Sequence, residues 1–324
     1  MIEEDERFDI IHCNDFDTLI AGVLYRLRYG ARVVYDAHEF WPYSYGAPPK
    51  LQSWLMLRFE DMFIGHADAV VTVNPLLAAQ MREAYHLSRV DSVLNAEPWS
   101  ADRAPLSGRL PAEVEAAKVR FVFIGGLSLE RGLQELFEAW SIVNPREAVL
   151  IVYGPDNQVK RQLEQYVAEL GEGGRSIFFL PSLSESDIVS AAMRADVGVI
   201  PYKPVTPNYR YCCPNKLSQY LHAGLMILAN NTEFVASIVR GCDVGIVYDS
   251  SRQETIVGAI SRAVADENFR IACKERALRL AKRSFNWQAQ EATLKDIYDR
   301  LSVDPRPDIE LDAPGLKRLR DVPR

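Results

Sequence analysis

The sequence predicts an α/β protein made of two doubly wound parallel sheets. Three observations predict it. Short apolar runs of about four to six residues alternate with amphipathic helical stretches, the rhythm of strand, crossover helix and parallel strand. A polar, proline-containing stretch at 95–110 interrupts that rhythm and divides the chain. With 324 residues and 48% hydrophobic content, the chain can fill two cores.

The first strand is expected at 8–12, followed by a helix at 18–29 with Leu19, Ile20, Val23, Leu24 and Leu27 on one side and Gly30 as its stop. A strand at 32–36 runs directly into Ala37-His38-Glu39-Phe40-Trp41, so His38 and Glu39 stand just past a strand's C-terminal end, where open α/β sheets place ligands. A helix at 51–65, a strand at 69–73, a helix opened by Asn74-Pro75 and a strand at 90–94 complete the first half. Strands at 119–124, 149–153, 177–180, 197–200, 225–229 and 244–248 make up the second, with helices at 132–142, 157–170 and 185–194. A long helical region, 253–284, and a final helix, 286–301, follow; the proline- and charge-rich tail 303–324 is expected to be disordered.

Composition excludes several functions. The formal charge of −7 argues against a nucleic-acid partner. Five scattered cysteines, without zinc spacing, suit reduced thiols in the cytoplasm. No run approaches the ~20 apolar residues of a membrane span, and the acidic N-terminus does not read as a signal peptide.

The chemistry concentrates in 209–229. Pro214 suits a helix's first turn, Leu217, Tyr220 and Leu221 form one apolar stripe, and Ala223-Gly224 ends the helix ahead of an apolar strand. Free N–H groups at that helix start, beside Lys216, would make a phosphate site; a plain βα loop with a solvated lysine is the alternative. If the second sheet has the order 3-2-1-4-5-6, its first and fourth strands meet at the switch point. The loops leaving them, Gly125 to Gly132 with Arg131 and Pro201 to Asn215 ahead of Lys216, would then converge on a diphosphate.

The series Asp9-Ile10-Ile11-His12, Tyr35-Asp36-Ala37-His38-Glu39, Gly125-Gly126…Arg131-Gly132 and Pro214-Asn215-Lys216-Leu217…Tyr220…Ala223-Gly224 resembles family 4-like retaining glycosyltransferases over roughly 8–301. The resemblance implies the GT-B fold: two Rossmann-like doubly wound parallel-sheet domains, here with the N-terminal one incomplete, lacking its first strands. It divides the chain into a truncated acceptor-side domain 1–105, a nucleotide-sugar domain 106–285, a helix 286–302 packing back on the N-domain, and the tail 303–324.

It implies transfer of a sugar from a UDP- or GDP-sugar, with configuration retained, to a glycan or lipid-linked acceptor; peripheral membrane association is compatible with the latter. His38, Arg131 and Lys216 would carry the catalytic roles. Gly125, Gly126, Gly154, Ser182, Tyr211, Pro214, Asn215, Leu217 and Gln219 would line the nucleotide site, with Gly154 and Ser182 at the base. No cofactor and no metal are expected, since the two cations can do the work of a divalent ion. The chain departs from the family pattern at Tyr211 and Gln219, which occupy its two glutamate slots, and at Gly126, where a second basic residue is usual. These departures leave a non-catalytic sugar-nucleotide-binding protein as the alternative, with an epimerase on the same fold behind it. Base, sugar and acceptor stay open.

Overall fold

The computed structural model describes residues 7–44 and 48–303. The disorder expected of the tail concerns residues that, from 304 on, lie outside the described ones. The chain forms two compact units: one runs to Val93 and resumes at Glu291, the other spans Leu94–Gln290.

In the first unit, β1 (Ile10–Asn14), α1 (Asp15–Tyr29), β2 (Arg32–Ala37), α2 (Lys50–Ile64), β3 (Ala69–Thr72), α3 (Pro75–Ala84) and β4 (Asp91–Ser92) follow in order. The sheet is wholly parallel, in the order β1-β2-β3-β4. Gly30 closes α1 in the left-handed conformation at φ 74°, returning its N–H to the Arg26 carbonyl. Asn74 caps α3, its side chain accepting from the N–H groups of Leu76 and Leu77. The first strand runs two residues later than expected. The fourth shrinks to Asp91–Ser92, although the Val93 N–H still bonds the Thr72 carbonyl at 2.8 Å.

The second unit holds α4 (Ala112–Ala116), β5 (Val119–Ile124), α5 (Leu133–Val143), β6 (Ala148–Tyr153), α6 (Gln158–Glu169), β7 (Ile177–Leu180), α7 (Ile188–Ala192), β8 (Val197–Ile200), α8 (Pro207–Tyr211), α9 (Asn215–Ala223), β9 (Met226–Asn230), α10 (Glu233–Gly241), β10 (Gly245–Tyr248), α11 (Gln253–Ala265) and α12 (Glu267–Arg283). Its parallel sheet has the order β10-β9-β8-β5-β6-β7, the doubly wound 3-2-1-4-5-6 in order of appearance. The core gathers Phe121, Phe123, Leu133, Phe137, Trp140, Leu150 and Leu228. The long helical region expected at 253–284 is two helices that divide at Asp266, whose side chain accepts from the Phe269 N–H and starts α12. The polar stretch after Leu94 belongs to this unit: Asn95 Nδ2 donates to the Cys213 carbonyl at 3.0 Å, and the Glu97 N–H to Ser218 Oγ at 2.8 Å.

The last helix, α13 (Trp287–Val303), returns to the first unit, where Ile297 and Leu301 pack on Val34 and Val71. Among the described residues, no helix is long and apolar enough to cross a membrane.

Candidate functional site

The loops after β5 and β8 leave neighbouring strands and touch each other. Gly132, at φ 80°, passes so close to the second loop that a Cβ there would lie 2.2 Å from the Pro201 carbonyl oxygen; only glycine meets both demands. Lys203, in the same loop, pairs with Glu135 of α5 at 2.6 Å.

Lys216 sits in the first turn of α9, buried to 6% exposure. Its Nζ donates to the Tyr202 hydroxyl at 2.6 Å and lies 4.6 Å from the centre of that ring and 4.9 Å from the Phe123 ring. No carboxylate among the described residues pairs with it. A buried ammonium held by rings and one hydroxyl keeps most of its charge uncompensated.

Arg131 reaches the same ring from the other loop, its guanidinium carbon 5.1 Å from the Tyr202 centre. Its Nη1 donates to the Gly126 carbonyl at 2.9 Å, and its Nε is buried without a partner. Gly125, at φ 134°, leaves room beside Lys216: a Cβ there would come within 3.4 Å of Nζ. The structure therefore joins Gly125, Gly126, Arg131 and Lys216 in one cationic cluster. Tyr202, which organises both cations, has no sequence signal beyond being an aromatic residue two positions past a strand end at the switch point.

Helix α9 is fixed from several sides. The Ile124 N–H donates to the Tyr220 hydroxyl at 2.9 Å, and the Tyr220 ring fills the space above Gly198, where a Cβ would lie 2.4 Å from it. The chain leaves α9 through Gly224, left-handed at φ 68°. Pro214 proves to be the N-cap of α9 and not part of its first turn; it offers no side-chain bond, so the N–H groups of Asn215 and Lys216 stay unpaired among the described residues. Gln219 is 6% exposed, and its amide also has no partner among them.

Other expected residues sit apart. Leu217 is a core side chain, and its N–H is spent on the Pro214 carbonyl at 2.9 Å, so it has nothing to offer a ligand. Gly154 accommodates Leu127, whose Cγ would lie 2.6 Å from a Cβ. Ser182 is exposed beyond the end of β7, two strands from the switch point. Tyr211 ends α8, half-buried.

In the first unit, His38 stands exposed past β2, its Nε2 3.5 Å from Asp36 Oδ2. Asp36 also accepts from His12 Nε2 at 3.2 Å, which leaves His12 Nδ1 to accept from the Tyr298 hydroxyl of α13 at 2.6 Å. Burial would raise the Asp36 carboxyl, but the hydrogen bonds from His12 and His38 prevail and hold it at about 2. The His38 imidazole is raised, chiefly by its contact with Asp36 and against the effect of burial. Among the described residues, no group of three or more His, Cys, Asp or Glu could hold a metal ion.

Residues 1–95 match the model of the glycosyl transferase 4-like domain, and residues 112–280 that of glycosyl transferases group 1. The chain is 23% identical over 208 residues to YqgM, an uncharacterized glycosyltransferase of Bacillus subtilis, matching 63% of itself and 55% of that relative. It thus spans little more than half the length of YqgM. It is 22% identical over 340 aligned residues to alpha-maltose-1-phosphate synthase of Mycolicibacterium smegmatis, covering 94% of itself and 82% of the relative. Among solved structures it resembles HepE of Anabaena, in complex with UDP-glucose, with a TM-score of 0.70, 16% identity and coverage of 91% of this chain and 78% of that one.

Proposed function

The chain belongs to the glycosyl transferases group 1 family, and from that premise we propose that it is a retaining transferase that takes a sugar from a UDP- or GDP-sugar and delivers it to a glycan or lipid-linked acceptor. Its fold is GT-B, and it is a glycosyltransferase. One observation carries the donor reading. Lys216 is a buried, uncompensated ammonium beside a glycine loop and Arg131, an arrangement whose missing counter-charge is a diphosphate.

The diphosphate lies against Gly125, the first N–H groups of α9 and the two cations. The unpartnered Gln219 amide takes the ribose hydroxyls, where an amide can donate and accept. The family resemblance gives His38 its role at the transferred sugar. In the reaction the bond from the anomeric carbon to the diphosphate oxygen breaks, and the acceptor oxygen bonds that carbon on the same face. The acceptor's proton passes to the departing diphosphate, so no carboxylate base is required. Lys216 and Arg131 stabilise the charge that develops on the leaving group, and transfer persists without a divalent ion.

The test is a panel of nucleotide sugars in thermal melts, because a ligand that binds only the folded chain raises its melting temperature. The stabilising donor is then incubated with candidate acceptors in chelator, and the anomeric configuration of the product is read by NMR. Stabilisation that is undiminished in Lys216→Ala, or an inverted product, overturns the reading.

A further inference from the structure

Helix α2 buries polar groups and exposes apolar ones. Its inner face carries Ser53, Glu60 and Ile64, with the Glu60 carboxylate accepting from the hydroxyls of Tyr35, at 2.7 Å, and Tyr85. Its outer face carries Leu51, Trp54, Leu55, Phe59 and Met62, between 44% and 69% exposed. On a helix these positions fall in one stripe, with Arg58 in the middle of it. The Phe59 ring packs at the foot of this ridge, 5.4 Å from Phe16 and 6.4 Å from Trp41.

The helix also outruns the strand before it. The Asp68 N–H bonds the Val33 carbonyl at 2.8 Å, which sets the end of α2 near the start of β2. From there α2 rises roughly 22 Å, whereas β2 has only about 13 Å left to Ala37. By this measure Leu51 and Trp54 reach past the C-terminal edge of the first sheet, the edge that carries His38, and Leu55 lies level with it.

We infer that this ridge docks the chain on a phospholipid membrane. A second copy of the chain is the poorer occupant on two counts. The five side chains offer on the order of 500 Å² of apolar surface, at the upper end of what a monomer leaves open and short of the ~800 Å² per partner that a stable dimer buries. Antiparallel pairing about the middle of the stripe would also set Arg58 against its own copy. Headgroup phosphates complement that charge instead. With the apolar ridge at the acyl boundary and Trp54 at headgroup level, Arg58 (65% exposed, paired only at its edge with Asp61 at 3.2 Å) and Lys50 reach outward to phosphate. The inference rests on the lipid-linked acceptor reading for its purpose, since it sets the His38 edge of this unit against a membrane, but its geometry and its test need no sugar transfer.

The full chain is sedimented with vesicles of phosphatidylcholine alone and of phosphatidylcholine mixed with phosphatidylglycerol. It should pellet with both, more strongly with the mixture. Leu55→Glu combined with Met62→Glu, both on exposed positions, should cut the partition at least about tenfold, while Ile142→Glu, on the other unit, changes nothing. As a second readout, vesicles should shift tryptophan emission to the blue in the wild type and not in Trp54→Phe. Docking is overturned if the wild type stays in the supernatant with both vesicles, or if the double variant binds like the wild type. It is equally overturned if the wild type sediments as a dimer that the double variant dissociates, which would assign the ridge to a second copy. Vesicle binding without transfer to any lipid-linked acceptor would uphold docking and count against the acceptor reading alone.

Discussion

Lys216, in the first turn of α9, and Arg131, in the loop after β5, both lie against one aromatic residue, 4.6 Å and 5.1 Å from the centre of the Tyr202 ring. The ring lets two like charges share a small volume, with no carboxylate paired to Lys216 among the described residues. A dianionic ligand placed there meets both charges at once.

Removing Lys216 as Lys216→Ala should weaken binding of the nucleoside diphosphate by about 1–3 kcal/mol, the value of a charge-assisted contact. Tyr202→Phe keeps both ring contacts and loses only the hydroxyl that holds Nζ, so its loss should be the smaller. Calorimetry with UDP and GDP on the two variants ranks them, and equal losses would contradict this account of the ring.

His38→Ala should reduce turnover and leave nucleotide affinity nearly unchanged, because the nucleotide contacts proposed above all belong to the other unit. Asp36→Asn removes the contact that raises His38, so the imidazole should titrate at lower pH than in the wild type. NMR titration of the ring protons reads this directly, independent of catalysis.

Burial pushes the Glu60 carboxyl up from its ordinary 4.5 to about 7. Between those values the folded chain binds a proton that the unfolded chain has released. Stability contributed by this group therefore falls as pH rises from about 4.5 to about 7 and levels off above. Glu60→Gln should flatten that part of the stability profile in urea titrations taken across the range.

Gly132→Ala should destabilise the second unit by roughly 1–3 kcal/mol, since it combines a left-handed residue with a clash at the Pro201 carbonyl. The two loops can relieve the clash only by parting, so nucleotide affinity should fall with the melting temperature. Gly30→Ala is the control: its φ of 74° is equally strained, but a Cβ there meets nothing within 4 Å, so affinity should hold.

The central strands were legible because they are buried on both faces and read as unbroken apolar runs; Ala148–Tyr153 is buried at every position. The cations were legible as well, because glycines and a helix start flank them. Tyr202 was not, since a tyrosine between Pro201 and Pro204 belongs to no period that a sequence reading can count. Helices α4 and α8, five residues each, are shorter than any window in which helical spacing stands out. The break at Asp266 was hidden because apolar residues continue on both sides of it, and only the capping bond to Phe269 reveals it. Leu217, expected beside Lys216 at the nucleotide site, has its side chain in the core, because on a helix the next residue points about 100° away.

The fastening of α9 by Tyr220 bears on how fast a donor is captured. A helix tied by its middle to the end of β5, with a ring lodged over Gly198, has nothing left to fold when a nucleotide arrives. Capture at this half of the chain is then governed by encounter and not by rearrangement. Two cations without a carboxylate partner among the described residues, on a chain of net charge −7, make a local attractor for an anionic donor, so the association rate should drop as salt screens them, while the dissociation rate stays comparatively constant.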